Sequence, residues 1–282
     1  MKLKYIIPIL FISLFNLSCS SDDDNTDQVI NETEGLKKVQ ELSNSTHTVE
    51  LYTTSGNFKT GYNAISMRIK DKATNNFVEN ASLSWMPIMQ MPTKAHSCPK
   101  SAISKAVGKQ TIYEGFIVYQ MTNLDGSGWS LKIDYSINDV AYSVTSEIEV
   151  FQSEFQNVTA FTGTDEVRYV LALIEPKEPK IAVNKMKVGL FKMESMMSFP
   201  TVSDYKIALD PRMPGMGNHG SPNNTDLIFD AVDQLYHGNL SLTMTGYWVL
   251  NLKLLNADNS VLKGEDVTEG HTKSSLYLEL DF

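Results

Sequence analysis

Cysteine is scarce in this chain of 282 residues: there are two, Cys19 and Cys98, so one disulfide is the most it can hold and a disulfide-stapled scaffold is excluded. Basic residues are outnumbered as well, 24 Lys and Arg against 33 Asp and Glu. The resulting charge of −9 leaves no basic face for a phosphate backbone, which excludes nucleic acid as a partner. No apolar run reaches the ~20 residues of a membrane-spanning helix. Also missing are a Ser-His-Asp order, a glycine-rich phosphate loop, an HExxH helix and an obvious carboxylate pair, so the expectation is a binding protein and not an enzyme. With 42% hydrophobic and 20% charged residues, disorder and collagen are excluded too. Methionine, by contrast, is abundant: 13 residues, more than the 12 Phe or the 12 Tyr.

At the N-terminus, Lys2 and Lys4 precede an apolar run from Tyr5 to Phe15 and then Asn16-Leu17-Ser18-Cys19. That layout is an export signal over residues 1–18, too short to span a bilayer. Ser18-Cys19 resembles the lipobox of bacterial lipoproteins, with Asn16 where that pattern has an aliphatic residue. The resemblance implies that Cys19 is acylated and becomes the first mature residue; the alternative is an ordinary secretory signal with an incidental cysteine. Ser20-Ser21-Asp22-Asp23-Asp24 opens a polar, acidic stretch that reads as a flexible tether over residues 19–46. The same residues resemble the acidic export signal of Bacteroidetes lipoproteins, which implies the outer membrane, with the cell-surface face favoured over the periplasmic one. Losing residues 1–18 removes two lysines and no acid, leaving 22 bases against 33 acids and a charge of −11. Anionic headgroups repel such a body, so membrane attachment would fall to lipid on Cys19.

Beyond the tether, apolar residues alternate with polar ones: Ile65, Met67, Ile69; Trp129, Leu131, Ile133, Tyr135, Ile137; Trp248, Leu250, Leu252, Leu254; Leu276, Leu278, Leu280, Phe282. The pattern predicts an all-β chain of antiparallel sandwiches, with a short helix conceivable only over Leu36–Leu42. One pattern occurs twice. Setting His96 on His219 brings Pro99 onto Pro222, Tyr113 onto Tyr236, Gly115 onto Gly238, Met121 onto Met244 and Thr122 onto Thr245, without a gap. Each copy then reaches a tryptophan, Trp129 or Trp248, that opens an alternating strand. The expectation is two related β-sandwich domains over residues 47–155 and 165–282, joined near the two prolines of Glu175-Pro176-Lys177-Glu178-Pro179 or slightly earlier, between Gln152 and Thr164.

Ahead of each histidine the chain is rich in methionine and proline. The first copy runs from Trp85 through Met86, Met89, Met91, His96 and Cys98 to Pro99; the second runs from Asp210 through Met213, Met216 and His219 to Pro222. Prolines and glycines predict loops here and not central strands. Thioether, imidazole and thiolate are soft or borderline ligands that favour Cu(I), whereas Mg or Ca would need oxygen ligands. The candidate metal ligands are therefore His219, Met216, Met213, His96, Met91, Met89 and Cys98. Each has a plainer alternative: a loop histidine satisfied by a backbone carbonyl, a methionine plugging the core, a cysteine acting as a small buried apolar residue. Met121 and Met244 follow the parity of core residues. Met193, Met196 and Met197 form a further cluster that either faces the second loop across a hairpin or lies on an exposed edge.

The second copy, from Asp210-Pro211-Arg212-Met213 through His219 and Tyr236-His237-Gly238 to Met244-Thr245-Gly246-Tyr247-Trp248, resembles the YtkA-like or FixH-like domain. That resemblance implies tandem immunoglobulin-like sandwiches, export, membrane attachment and metal handling. The Met216-x-x-His219 step is also similar to the copper motif of periplasmic Cu(I) chaperones; in the first copy Met91 stands five residues before His96 instead of three.

The leading functional expectation is a lipid-anchored copper-binding protein that holds Cu(I), with Cu(II) left open, and sequesters it or passes it to a copper-accepting protein. The competing one is a surface interaction module whose Met-Pro loops dock a protein or glycan. Zinc or haem held by His96 and His219 is a third.

Overall fold

The computed structural model describes residues 31–124 and 126–282. The expected export signal over residues 1–18, the expected lipidation site Cys19 and the first part of the expected tether, residues 19–30, lie outside them. The described chain is all-β, as its alternation predicts, and its sheets are antiparallel apart from one two-residue parallel pairing. Glu32 to Phe282 forms one compact unit. Its first half contains β1 (Lys37–Ser43), β2 (His47–Thr53), β3 (Phe58–Lys59), β4 (Gly61–Asp71), β5 (Ser82–Gln90), β6 (Ala95–His96), β7 (Ser104–Lys105), β8 (Tyr113–Tyr119), β9 (Gly128–Ile137), β10 (Val140–Ile148) and β11 (Val150–Phe151). The second half contains β12 (Val158–Thr162), β13 (Arg168–Glu175), β14 (Ala182–Lys192), β15 (Lys206–Met213), β16 (His219–Gly220), β17 (Leu227–Asp230), β18 (Leu235–Leu242), β19 (Trp248–Leu255), β20 (Val261–Lys263) and β21 (Leu276–Leu280).

Strand order repeats between the halves. The sheet β1-β2-β4-β8-β7 has its counterpart in β12-β13-β14-β18-β17, and β10-β9-β5-β6 in β20-β19-β15 with β16 on β15 and β21 on β19. They differ in one junction: β17 also pairs with β15, which makes the second half one continuous curled sheet. Each half closes on its own core. The first is built from inward residues such as Leu51, Ile65, Met67, Trp129 and Ile133, the second from Leu171, Val188, Tyr236, Trp248 and Leu250. Fully burying each such large side chain contributes about 1.5–3 kcal/mol. The recurring glycines are places of close approach. A Cβ on Gly115 would sit 2.8 Å from the Trp85 ring, and one on Gly238 2.8 Å from the Thr225 carbonyl oxygen.

Three local expectations need correction. Leu36–Leu42 is not a helix, because Lys37–Ser43 is edge strand β1, paired with β2. Residues 32–46 accordingly belong to the folded body, and the Glu32 carboxylate accepts hydrogen bonds from the backbone N–H groups of Gln110 and Thr111 and from the Thr111 hydroxyl. The Glu175–Pro179 segment is the β13–β14 turn within the second half, and the chain passes from one core to the other between Val150 and Phe161, overlapping the other expected boundary between Gln152 and Thr164.

The two halves meet on a small apolar seam. Val118, Val170, Ala172 and Phe191 are buried there, flanked by Tyr62, Phe116, Val158 and Phe199.

Candidate functional site

The methionine-proline segments are strands for most of their length, contrary to the loop expectation. Pro87 lies within β5 opposite Leu131 of β9; on the other side β6 reaches only Met89 and Gln90. Pro211 lies within β15 opposite Leu250 of β19, and on its other side falls between the short pairings with β17 and β16. A missing N–H is tolerated at these positions because one flank has no ladder to break. Strand parity then turns Met89 and Met213 inward, where they are 0% and 6% exposed in the first and second cores.

Beyond Gln90 the chain turns tightly, with the Met91 N–H donating to the Lys94 carbonyl at 2.9 Å, and returns as β6. This hairpin sets Met91 and His96 on the wall of a cleft of about 290 Å³. Met121 joins them from the end of β8, its carbonyl held at 2.8 Å by the Trp129 indole N–H. From the second half come Met193 and Met196, on the connection between β14 and β15, with Phe199 beside them. Four of the thirteen methionines and one of the five histidines thus line a single cleft shared by the two halves.

His96 is half-buried, with its ring set edge-on to Trp129 at 5.7 Å. Its Nδ1 lies 2.7 Å from the Ser97 carbonyl oxygen. A carbonyl only accepts, so Nδ1 carries a proton and Nε2 is the nitrogen that the neutral tautomer would offer to a ligand. The Ser97 N–H in turn donates to the Met196 carbonyl at 2.7 Å, tying the first half's β6 to the second half's methionine hairpin. Lys94 and Arg168 also line the cleft; no carboxylate among the described residues does. Gln120 brings the one side-chain amide oxygen to this wall among the described residues, too little for Ca or Mg, whereas the thioethers and the imidazole suit a soft, singly charged ion.

Of the seven candidate ligands named from sequence, Met91 and His96 line the cleft and the others do not. Met89 stands opposite His96 in the β5–β6 ladder but is fully buried. Cys98 is 0% exposed in the first core, and burial pushes its thiol well above its ordinary value, the reverse of what a ligand thiolate needs. Met213 stands opposite His219 in the second core, while Met216, on a 3₁₀ turn, and His219 are exposed. The structure does not bring the expected ligands of both copies together: Met91 and His96 share this cleft with three other methionines, Met121, Met193 and Met196. Of the Met193–Met197 cluster, Met193 and Met196 thus line the cleft of the first histidine.

Among the described residues, one group of three or more His, Cys, Asp or Glu side chains comes close enough to share an ion: Asp230, Asp233 and His237. Asp233 there already receives Lys187 at 2.6 Å and His237 at 2.9 Å. A larger cleft of about 500 Å³, with Glu79, Lys105 and Asp139 on its walls, gathers no His or Met. No helix of the described residues is long and apolar enough to cross a membrane. No family model and no curated protein matches the sequence.

Proposed function

We propose that this protein binds Cu(I) outside the cytoplasm, in the cleft between its halves, as a non-enzymatic carrier or store attached to the outer membrane through lipid on Cys19. One observation carries the reading: Met91, Met121, Met193, Met196 and His96 converge on one cleft that no carboxylate lines among the described residues. Four thioethers and a neutral imidazole with Nε2 free are a soft donor set, and thioethers in a core would have no need of a common opening. The halves, with their repeated strand order, are read here as tandem immunoglobulin-like modules, of which the first supplies the histidine and the second the covering hairpin. A copper-accepting protein would be the natural partner, with the cell-surface face of the outer membrane as the favoured location.

The test is a Cu(I) titration of the mature protein against a competing chelator under reducing conditions. Binding of one ion tighter than about micromolar, weakened at least tenfold by His96→Gln and by Met91→Leu, supports the reading. Binding no tighter than in a variant with all four thioethers replaced by Leu overturns it.

A second reading draws on Lys94 and Arg168. An apolar cleft with two cations on its wall also suits an acidic, methionine- or leucine-bearing tip of a partner protein. That interaction module would bind in the absence of metal and weaken as salt rises.

A further inference from the structure

The cleft is built from both halves of the chain. Met91, His96 and Met121 come from the first half, Met193 and Met196 from the second. Below the cleft lies the apolar seam of Val118, Val170, Ala172 and Phe191, and Phe199 belongs to both seam and cleft. At the rim, the Ser97 N–H to Met196 carbonyl bond joins the hairpin to β6. Within the hairpin itself the closing bonds are long. Ser195 and Ser198 exchange long backbone bonds of 3.4 and 3.3 Å, and Met196 and Met197 are 44% and 40% exposed.

The size of the opening matters. At about 290 Å³ the cleft is roomier than the ~30 Å³ that one water takes up in the liquid. Long, unbranched methionine side chains on an exposed hairpin are the parts of its wall best able to move towards a bound ion.

Resting on the Cu(I) reading of the cleft, we propose that the metal acts as a clamp between the halves. Cu(I) bound to the His96 wall recruits Met193 and Met196, closes the hairpin over the cleft and locks the docking of the second half on the first. Ser97 is the positioning residue of this closure, since its carbonyl orients the imidazole and its N–H holds the hairpin. Metal release then requires the hairpin to lift, so an acceptor protein would gain access to the ion at the exposed Met196 and Met197 edge.

Amide hydrogen exchange of the full mature chain, with and without one equivalent of Cu(I), tests this. Cu(I) is expected to slow exchange of the Ser97 amide and of the 193–198 segment at least tenfold. The double variant Met193→Leu, Met196→Leu keeps the shape of the hairpin; it is expected to bind Cu(I) at least tenfold more weakly and to show no such slowing. Stoichiometric Cu(I) binding with unchanged exchange at Ser97, or with undiminished affinity in the double variant, overturns the clamp and leaves the metal site of the first half standing. If the wild-type chain binds no Cu(I), the copper reading falls and the clamp falls with it.

Discussion

Met89 lies directly opposite His96 across the β5–β6 ladder, on the same face of the sheet and fully buried beside it. Met213 and His219 repeat this relationship across β15 and β16. Behind each pair stands a tryptophan whose indole N–H holds a methionine carbonyl: Trp129 to Met121 at 2.8 Å and Trp248 to Met244 at 3.1 Å. The duplicated framework therefore serves folding in both halves. What separates the copies is the hairpin, because Met193 and Met196 share a cleft with the first histidine while His219 and Met216 stay open to solvent.

If the buried member of each pair is a core residue, truncation should cost stability and not metal affinity. Met213→Ala is expected to destabilise the protein by about 2–5 kcal/mol, and Met213→Leu by less than about 1.5, in denaturant unfolding. Neither change is expected to alter Cu(I) affinity in the chelator competition; a loss of affinity in Met213→Leu would return that residue to the ligand set.

Cys98 allows a sharper test of the same distinction. Its thiol is enclosed and held protonated by burial, so a thiol reagent at pH 8 should leave it unmodified in the native protein and modify it fully on unfolding. Cys98→Ala is expected to lower stability by about 1 kcal/mol while leaving Cu(I) binding intact. Rapid native labelling, or affinity lost with the thiol, would contradict the structure.

The first sandwich should also carry a distinct acid sensitivity. Glu50 is buried, which by itself would raise its carboxyl, but hydrogen bonds from Lys38, Tyr52 and Arg68 outweigh that and hold it at about 2 instead of 4.5. A carboxylate depressed in the folded state stabilises at pH above its unfolded value, and this stability is lost as pH falls from about 4.5 towards 2. Glu50→Gln is expected to cost about 2 kcal/mol at pH 7 and almost nothing near pH 2, measured by urea unfolding across that range. A cost independent of pH would show that the carboxylate charge is not what matters.

Much of this fold is legible in the chain because alternation is local: Trp129 to Ile137 and Trp248 to Leu255 declare themselves as strands by inward residues at every second position. The prolines mislead for an equally local reason. Pro87 and Pro211 look like strand breakers until it is known that each has a flank without a ladder, and that depends on which strand pairs where. The cleft is less legible still. Met121 has core parity and does pack on the first core, yet it sits where the strand ends and so also faces the opening. Met193 and Met196 come to line the same cleft as His96 where the two halves dock at the seam around Phe191 and Val118, and such non-local contact leaves no periodicity to read.

The two cations on the cleft wall separate the competing functions by sign. Lys94 and Arg168 add positive charge beside a site proposed for a cation, so under the copper reading each works against the ion. At an effective dielectric of about 40–80, unit charges several ångströms apart interact by about 1 kcal/mol. Arg168→Gln and Lys94→Gln are therefore each expected to tighten Cu(I) binding by about threefold to sevenfold at low salt, with the gain shrinking as ionic strength rises. If the cleft instead receives an acidic tip of a partner protein, the same substitutions remove an attraction and weaken association, most strongly at low salt. A chelator competition at two salt concentrations decides between them: unchanged or weaker Cu(I) binding in both variants would count against a metal ion as the natural occupant of the cleft.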